Sequence, residues 1–153
     1  MSKACIFLAD GFEEIEGLTV VDILRRAGVE IHMVSITGET KVTGSHGIEI
    51  KCDTCIGQEN FSEIELFVLP GGMPGTKNLG ACKALKELLT ASFEAGKKLA
   101  AICAAPSVLG DLGILKGKKA CCYPGFEEHL TGAQVVFDQV AQDGNVTTSR
   151  GMG

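Results

Sequence analysis

The run Leu99-Ala100-Ala101-Ile102-Cys103-Ala104-Ala105-Pro106 constrains this chain more than any other stretch. Its first half is apolar over the length of a strand. Its second half is a cysteine, two very small residues and a proline. Proline is tolerated in the first turn of a helix, where its missing N–H has no intrahelical partner to lose. The run therefore predicts a buried strand, a sharp turn carrying Cys103, and a helix from about Ala104. A thiol at such a turn faces free backbone N–H groups and the positive end of a helix, which favour the thiolate. Cys103 is the candidate reactive atom. The plain alternative is a small core residue, since free cysteine often packs that way.

Two further apolar runs end in turns of the same kind. Ala4 to Ala9 is a strand buried on both faces, broken by Asp10-Gly11 and followed by the acidic helix start Phe12-Glu13-Glu14. Leu66 to Leu69 runs into Pro70-Gly71-Gly72-Met73-Pro74-Gly75. Glycines at a strand end let backbone approach a ligand closely, and can aim an N–H at a reacting oxygen. This turn lacks the spacing of a phosphate loop or dinucleotide fingerprint.

The first helix carries Glu16, Val20, Ile23, Leu24 and Ala27 along one predicted face. Glu16 is the one carboxylate on that apolar stripe. It is either a rim glutamate that reaches water or a buried acid aimed at the site. Val29 to Ile36 reads as a second strand, and Val42-Thr43 and Ile48 to Ile50 as short ones. A helix is expected from about Leu79 to Ala95, with Cys82, Leu85, Leu88, Leu89 and Ser92 on one face. Lys118 to Tyr123 reads as a strand, Val135 to Phe137 as another. Asp143-Gly144-Asn145 then predicts a hairpin turn before a last strand at Val146 to Thr148. Strands alternating with helices imply an α/β domain with a mainly parallel sheet, whose ligands bind beyond the carboxyl ends of the strands. Glu16, Gly72 and Cys103 converge there.

Composition narrows the partners. At 153 residues, one domain spanning 1–153 is expected, and 45% apolar with 22% charged residues suits a globular core. A net charge of −5 argues against nucleic acid or an anionic membrane surface as partner. The short apolar segment after Met1-Ser2-Lys3 is too brief for a signal peptide or span, so a cytoplasmic protein is expected, with its seven cysteines reduced. Cys52 and Cys55 have Cys-x-x-Cys spacing, but no second pair supports a zinc site, and two ordinary thiols are the reading adopted.

Taken together, Asp10-Gly11-Phe12-Glu13-Glu14-Ile15-Glu16, Leu69-Pro70-Gly71-Gly72, Ala100 to Pro106 and the closing Thr148-Ser149-Arg150-Gly151 resemble the ThiJ/PfpI superfamily. The similarity is to the branch of the Parkinson-disease-associated protein deglycase and its bacterial relatives, and covers essentially the whole chain. It implies a flavodoxin-like α/β sandwich with helices on both faces of the sheet, usually a homodimer, with no cofactor and no metal. By the same resemblance, Cys103 sits at a nucleophile elbow, Glu16 hydrogen-bonds it, and Gly72 and Ala104 supply backbone donors. The implied activity is glyoxalase-like or deglycase-like, on small reactive carbonyl compounds. The alternatives are a sensor in which peroxide oxidises Cys103, or a chaperone-like protein with little turnover. Because a thiolate and a carboxylate in contact repel, Glu16 is expected to keep its proton and donate to the thiolate.

Three departures from the pattern stand out. Ala104 occupies the place of the histidine that follows the cysteine in the protease-like branch, so peptide hydrolysis is not expected. Tyr123 stands where many relatives carry a histidine near the cysteine. Relatives continue beyond the Ser-Arg-Gly segment into a further long helix, whereas this sequence stops at Met152-Gly153. The family's C-terminal helix is therefore expected to be missing and a sheet face left uncovered.

Overall fold

The computed structural model describes residues 2–152. Strand β1 (Lys3–Leu8) leads into helix α1 (Glu14–Arg26) and β2 (Glu30–Ser35). Three short strands follow, β3 (Lys41–Thr43), β4 (Glu49–Lys51) and β5 (Thr54–Cys55), and then β6 (Leu66–Leu69). Helices α2 (Gly75–Ala81) and α3 (Lys83–Glu94) precede β7 (Lys98–Ile102) and α4 (Pro106–Asp111). Strands β8 (Lys119–Ala120), β9 (Gln134–Val135), β10 (Val140–Asp143) and β11 (Val146–Ser149) complete the chain.

Seven strands form one sheet in the order β10-β11-β7-β6-β1-β2-β5. Every pairing in it is parallel except the β10–β11 hairpin, where Asp143 faces Val146 across the expected Asp-Gly turn. The chain leaves β1 towards β2 on one side and returns through β6 and β7 on the other. The crevice between the ends of β1 and β6 is thus the topological switch point, where open α/β sheets bind ligands. The flavodoxin-like arrangement expected from the sequence is present.

Alternation along the strands sorts the core into two layers. Cys5, Phe7, Phe67, Leu69, Leu99 and Ala101 point to the face packed by Leu85 and Leu89 of α3 and Val108 and Leu109 of α4. Ala4, Ile6, Leu8 and Val68 point to the opposite face, where α1 contributes Val21. Among the described residues α1 is the only helix on that second face, and Leu66, Ala100 and Ile102 there are only partly buried. No helix among the described residues is long and apolar enough to cross a membrane.

Several boundaries differ from the sequence reading. The helix expected over 79–95 is two helices, because Cys82 adopts an extended backbone (φ −84°, ψ 105°) between α2 and α3. The segment 118–123 pairs over two residues only, in parallel with β9 and outside the main sheet. The helix after Cys103 starts at Pro106 rather than Ala104. On α1 the inward residues are Glu16, Gly17 and Val21, while Ile23 and Ala27 are exposed. Of the expected stripe, Glu16 is buried and Val20 and Leu24 pack against the core, so the inward face holds the carboxylates Glu14 and Glu16 beside apolar residues.

One ion cluster ties β2 to the turn after β5. The ring of His32 lies between two carboxylates, Nε2 3.0 Å from Glu30 and Nδ1 against Glu59. Two acceptors demand two N–H groups, so the imidazolium is the form that fits. The hydrogen bond to Glu59 leads in raising the His32 pKa above 6.5, against the opposing effect of burial. A raised folded-state pKa adds stability that is complete below about pH 6.5 and fades as pH rises through the higher value. His32→Gln should therefore cost roughly 1 kcal/mol near pH 6, and less near pH 9, in urea unfolding. An equal cost at both pH values would rule out a charged His32.

Candidate functional site

Three loops beyond the strand ends build the site, and backbone hydrogen bonds stitch them together. The Glu13 N–H donates to the Gly71 carbonyl at 2.9 Å, and Gly75 N–H to the Gly11 carbonyl at 3.1 Å. The third loop is held by Cys103 N–H, which donates to Ser149 of β11 at 2.9 Å. Cys103 itself is the one non-glycine residue with positive φ among those described, at +64°. That conformation is uncommon for a side-chain-bearing residue, and such strain clusters at functional sites. It turns the thiol out of the strand line into a cleft of about 600 Å³, lined also by Glu16, Gly72, Tyr123, Gln139 and Arg150.

Glu16 is buried, at 3% exposure, and its carboxyl is hydrogen-bonded to the Cys103 thiol. Gly71 lies between the two. Its N–H donates to Glu16 Oε1 at 3.1 Å. A β-carbon at Gly71 would fall 2.5 Å from Glu16 Oε1 and 2.6 Å from Cys103 Cβ, so only glycine permits the approach. Backbone N–H groups of Ala104 and Gly72 reach the sulfur. The structure therefore brings Cys103, Glu16, Gly72 and Ala104 together.

Burial opposes charge on both members of the Cys103–Glu16 pair. Burial pushes the thiol up, the adjacent Glu16 charge adds to it, and the two N–H donors recover only part, leaving Cys103 at about 12. Burial also raises Glu16, against the hydrogen bonds from Cys103 and Gly71. The two groups titrate as a coupled pair, and burial works against a charge on either of them. Helix α4 is only six residues long and starts three residues after Cys103, so its positive end does little for the sulfur.

Glu14, two residues before Glu16, serves a different purpose. Its carboxylate accepts from the His46 N–H at 2.8 Å, the Ile48 N–H at 3.3 Å and His46 Nδ1 at 2.9 Å. Burial opposes its charge, yet these bonds bring its pKa down to about 2. Glu13, Glu14 and His46 approach closely enough to hold a metal ion. The Glu14 oxygens are already engaged, and the cluster is the anchor of the loop after β3.

Sequence reasoning did not identify Gly71, Gln139 or Arg150 as site residues. Paired glycines after β6 signalled close approach, but not which glycine faces Glu16. Arg150 carried a signal in its position directly after the last strand. Tyr123 lies in the cleft, with its ring half exposed. Its backbone N–H donates to the Cys103 carbonyl at 2.8 Å.

The shared charge has a measurable consequence. Glu16→Gln removes the carboxylate that holds the thiol protonated, so the Cys103 pKa falls. A drop of about one unit gives about tenfold more thiolate, read as faster iodoacetamide alkylation of Cys103 near neutral pH. Slower alkylation in this variant would instead mean that a protonated Glu16 supports a thiolate.

Comparison with known proteins matches this geometry to a family. The chain matches the DJ-1/PfpI family over residues 2–153. It is 39% identical over 153 residues to Protein DJ-1 homolog B of Arabidopsis thaliana, covering 99% of this chain but 35% of that protein. It is 33% identical to Deglycase PH1704 of Pyrococcus horikoshii, covering 97% of this chain and 89% of the relative. The crystal structure of Drosophila melanogaster DJ-1beta superposes with a TM-score of 0.93 at 37% identity, covering 99% and 83% of the two chains. On this full-length match, with Glu16 and Cys103 paired at the switch point of the same fold, the chain belongs to the DJ-1/PfpI family.

Proposed function

We propose that this protein is a cysteine-dependent, stress-protective enzyme that converts reactive α-oxo aldehydes to hydroxy acids. The observation that carries the proposal is the hydrogen bond between the Glu16 carboxyl and the Cys103 thiol in an open cleft. The name of the Pyrococcus relative, a deglycase, is in keeping with carbonyl chemistry.

An ionised Glu16 is placed to accept the thiol proton as Cys103 Sγ attacks the aldehyde carbon. The oxygen that gains charge accepts from the Gly72 and Ala104 N–H groups, then takes the proton from Glu16, giving a hemithioacetal. Glu16, again a carboxylate, removes the hydrogen on the former aldehyde carbon and returns it to the neighbouring carbon, and likewise carries the hydroxyl proton to the neighbouring oxygen. That transfer yields a thioester beside a hydroxyl-bearing carbon. Water cleaves the thioester, releasing the hydroxy acid and the Cys103 thiol. Oxidation at one carbon is matched by reduction at the next, so atoms and electrons balance within substrate and water.

The alternative in which peroxide oxidises Cys103 draws less support. Oxidation follows thiolate character, and burial and the neighbouring Glu16 both oppose a thiolate at Cys103. Purified protein given methylglyoxal should yield lactate. Cys103→Ala and Glu16→Gln should each lower kcat/KM by about a hundredfold or more. Undiminished turnover by Cys103→Ala would remove the proposal.

We further propose that the chain forms a homodimer through the outer face of α1. Ile15 and Ile23 lie two turns apart there, and they and Ile48 are each more than half exposed. Sedimentation velocity should find a dimer, and the Ile15→Lys, Ile23→Lys double variant a monomer. A monomeric wild type would overturn this.

A further inference from the structure

The cleft that holds Cys103 contains one cation, and nothing in the reaction just described uses it. Arg150 follows the last residue of β11, and the register of that strand against β7 sets Ser149 opposite Ile102. Cys103 donates its N–H to the carbonyl of Ser149. The sheet itself therefore brings Arg150 alongside the thiol.

The side chain is held in place but not neutralised. Arg150 N–H donates to the Gln139 carbonyl at 3.1 Å, and Nη1 to the Phe137 carbonyl at 3.3 Å. One of five guanidinium donors is thereby engaged, and the rest of the planar fork remains available. Among the described residues, no carboxylate lies within ion-pair distance of Arg150. Glu13, the other charged residue on the rim, already faces His46 Nδ1 at 3.6 Å and Ser45 Oγ at 3.5 Å. Nor does Arg150 act on the thiol, whose acidity is governed by burial, Glu16 and the two backbone donors. Gln139 adds an amide on the same side of the cleft, with no side-chain hydrogen bond to another described residue.

A half-buried, oriented and unneutralised guanidinium beside a reactive thiol is suited to an anion on the molecule that reacts. We infer that Arg150, supported by Gln139, binds an anionic group of the substrate. The preferred substrates are then α-oxo aldehydes that carry a carboxylate a short distance from the reacting carbonyl. Glu16 sits against the thiol and Arg150 lines the same cleft, so the tail charge meets the cation while the carbonyl meets Cys103. A planar carboxylate matches the guanidinium fork with two parallel hydrogen bonds. This inference rests on the reading of Cys103 as the reacting atom, and extends it to substrate class.

Two alkylating probes of nearly equal size test the anion site without any turnover. Iodoacetate is a carboxylate and iodoacetamide its neutral counterpart; both transfer their carbon to sulfur with loss of iodide. Cys103 modification is followed by peptide mass spectrometry, and the iodoacetate-to-iodoacetamide rate ratio is referred to that of glutathione under the same conditions. The wild-type ratio should exceed that of glutathione by about tenfold, the scale of a charge-assisted hydrogen-bonded pair. Arg150→Gln should bring it back to that of glutathione, and Arg150→Lys should retain part of the preference. A wild-type ratio equal to that of glutathione, or one unchanged in Arg150→Gln, overturns the inference.

A turnover arm separates the two readings. The ratio of kcat/KM for dioxopentanoate, an α-oxo aldehyde with a carboxylate at its far end, to that for methylglyoxal should fall about tenfold in Arg150→Gln. Iodoacetate selectivity without turnover of either aldehyde would sustain the anion site and remove the dicarbonyl reading. Turnover without selectivity would do the reverse.

Discussion

A buried carboxyl and a half-buried thiol sharing one proton is the contact on which the rest of this site depends. Neither group is well placed alone. An isolated carboxylate away from water is costly, and an isolated thiol so placed is inert. Together they form a coupled pair in which the Gly71 N–H fixes the Glu16 carboxyl. The missing β-carbon at Gly71 is what allows them to meet. The loop after β6 is therefore a spacer of defined thinness as much as a source of donors.

The topology explains why these residues are so far apart in sequence. α1 follows β1, the glycine turn follows β6, and Cys103 follows β7, three adjacent parallel strands that end at the same edge. Reversal of strand order at β1 and β6 opens the crevice between them. Two successive acidic features at the start of α1 then divide the work. Glu14 turns towards the loop after β3 and secures it, while Glu16 turns one helical step further, into the crevice.

Much of this was legible in the sequence, and the misses have physical causes. The apolar strands were plain because both faces of a parallel sheet are buried. Cys103 at a turn and glycines after β6 followed from backbone chemistry. On α1 the expected stripe holds at Glu16, Val20 and Leu24 but not at Ile23 and Ala27, because periodicity counts apolar residues, whereas this helix buries two carboxylates and leaves Ile15 and Ile23 exposed. The break at Cys82 has only Gly80, two residues earlier, to announce it; the extended torsions of Cys82 separate α2 from α3. Sequence spacing shows a helix start near Cys103 but not the burial and neighbouring charge that oppose a thiolate there. Arg150 was overlooked for a related reason: only strand register places it beside Cys103.

With Tyr123, and not a histidine, in the cleft beside Cys103, the proposed site relies on a single proton carrier. Glu16 is the titratable side chain hydrogen-bonded to the thiol, so every proton in the proposed reaction passes through one carboxyl. A base raised by burial is better matched to this than an ordinary carboxylate, because it holds a proton more readily once it has taken one. The same burial makes the thiol reluctant to ionise beforehand, so attack and proton removal must coincide.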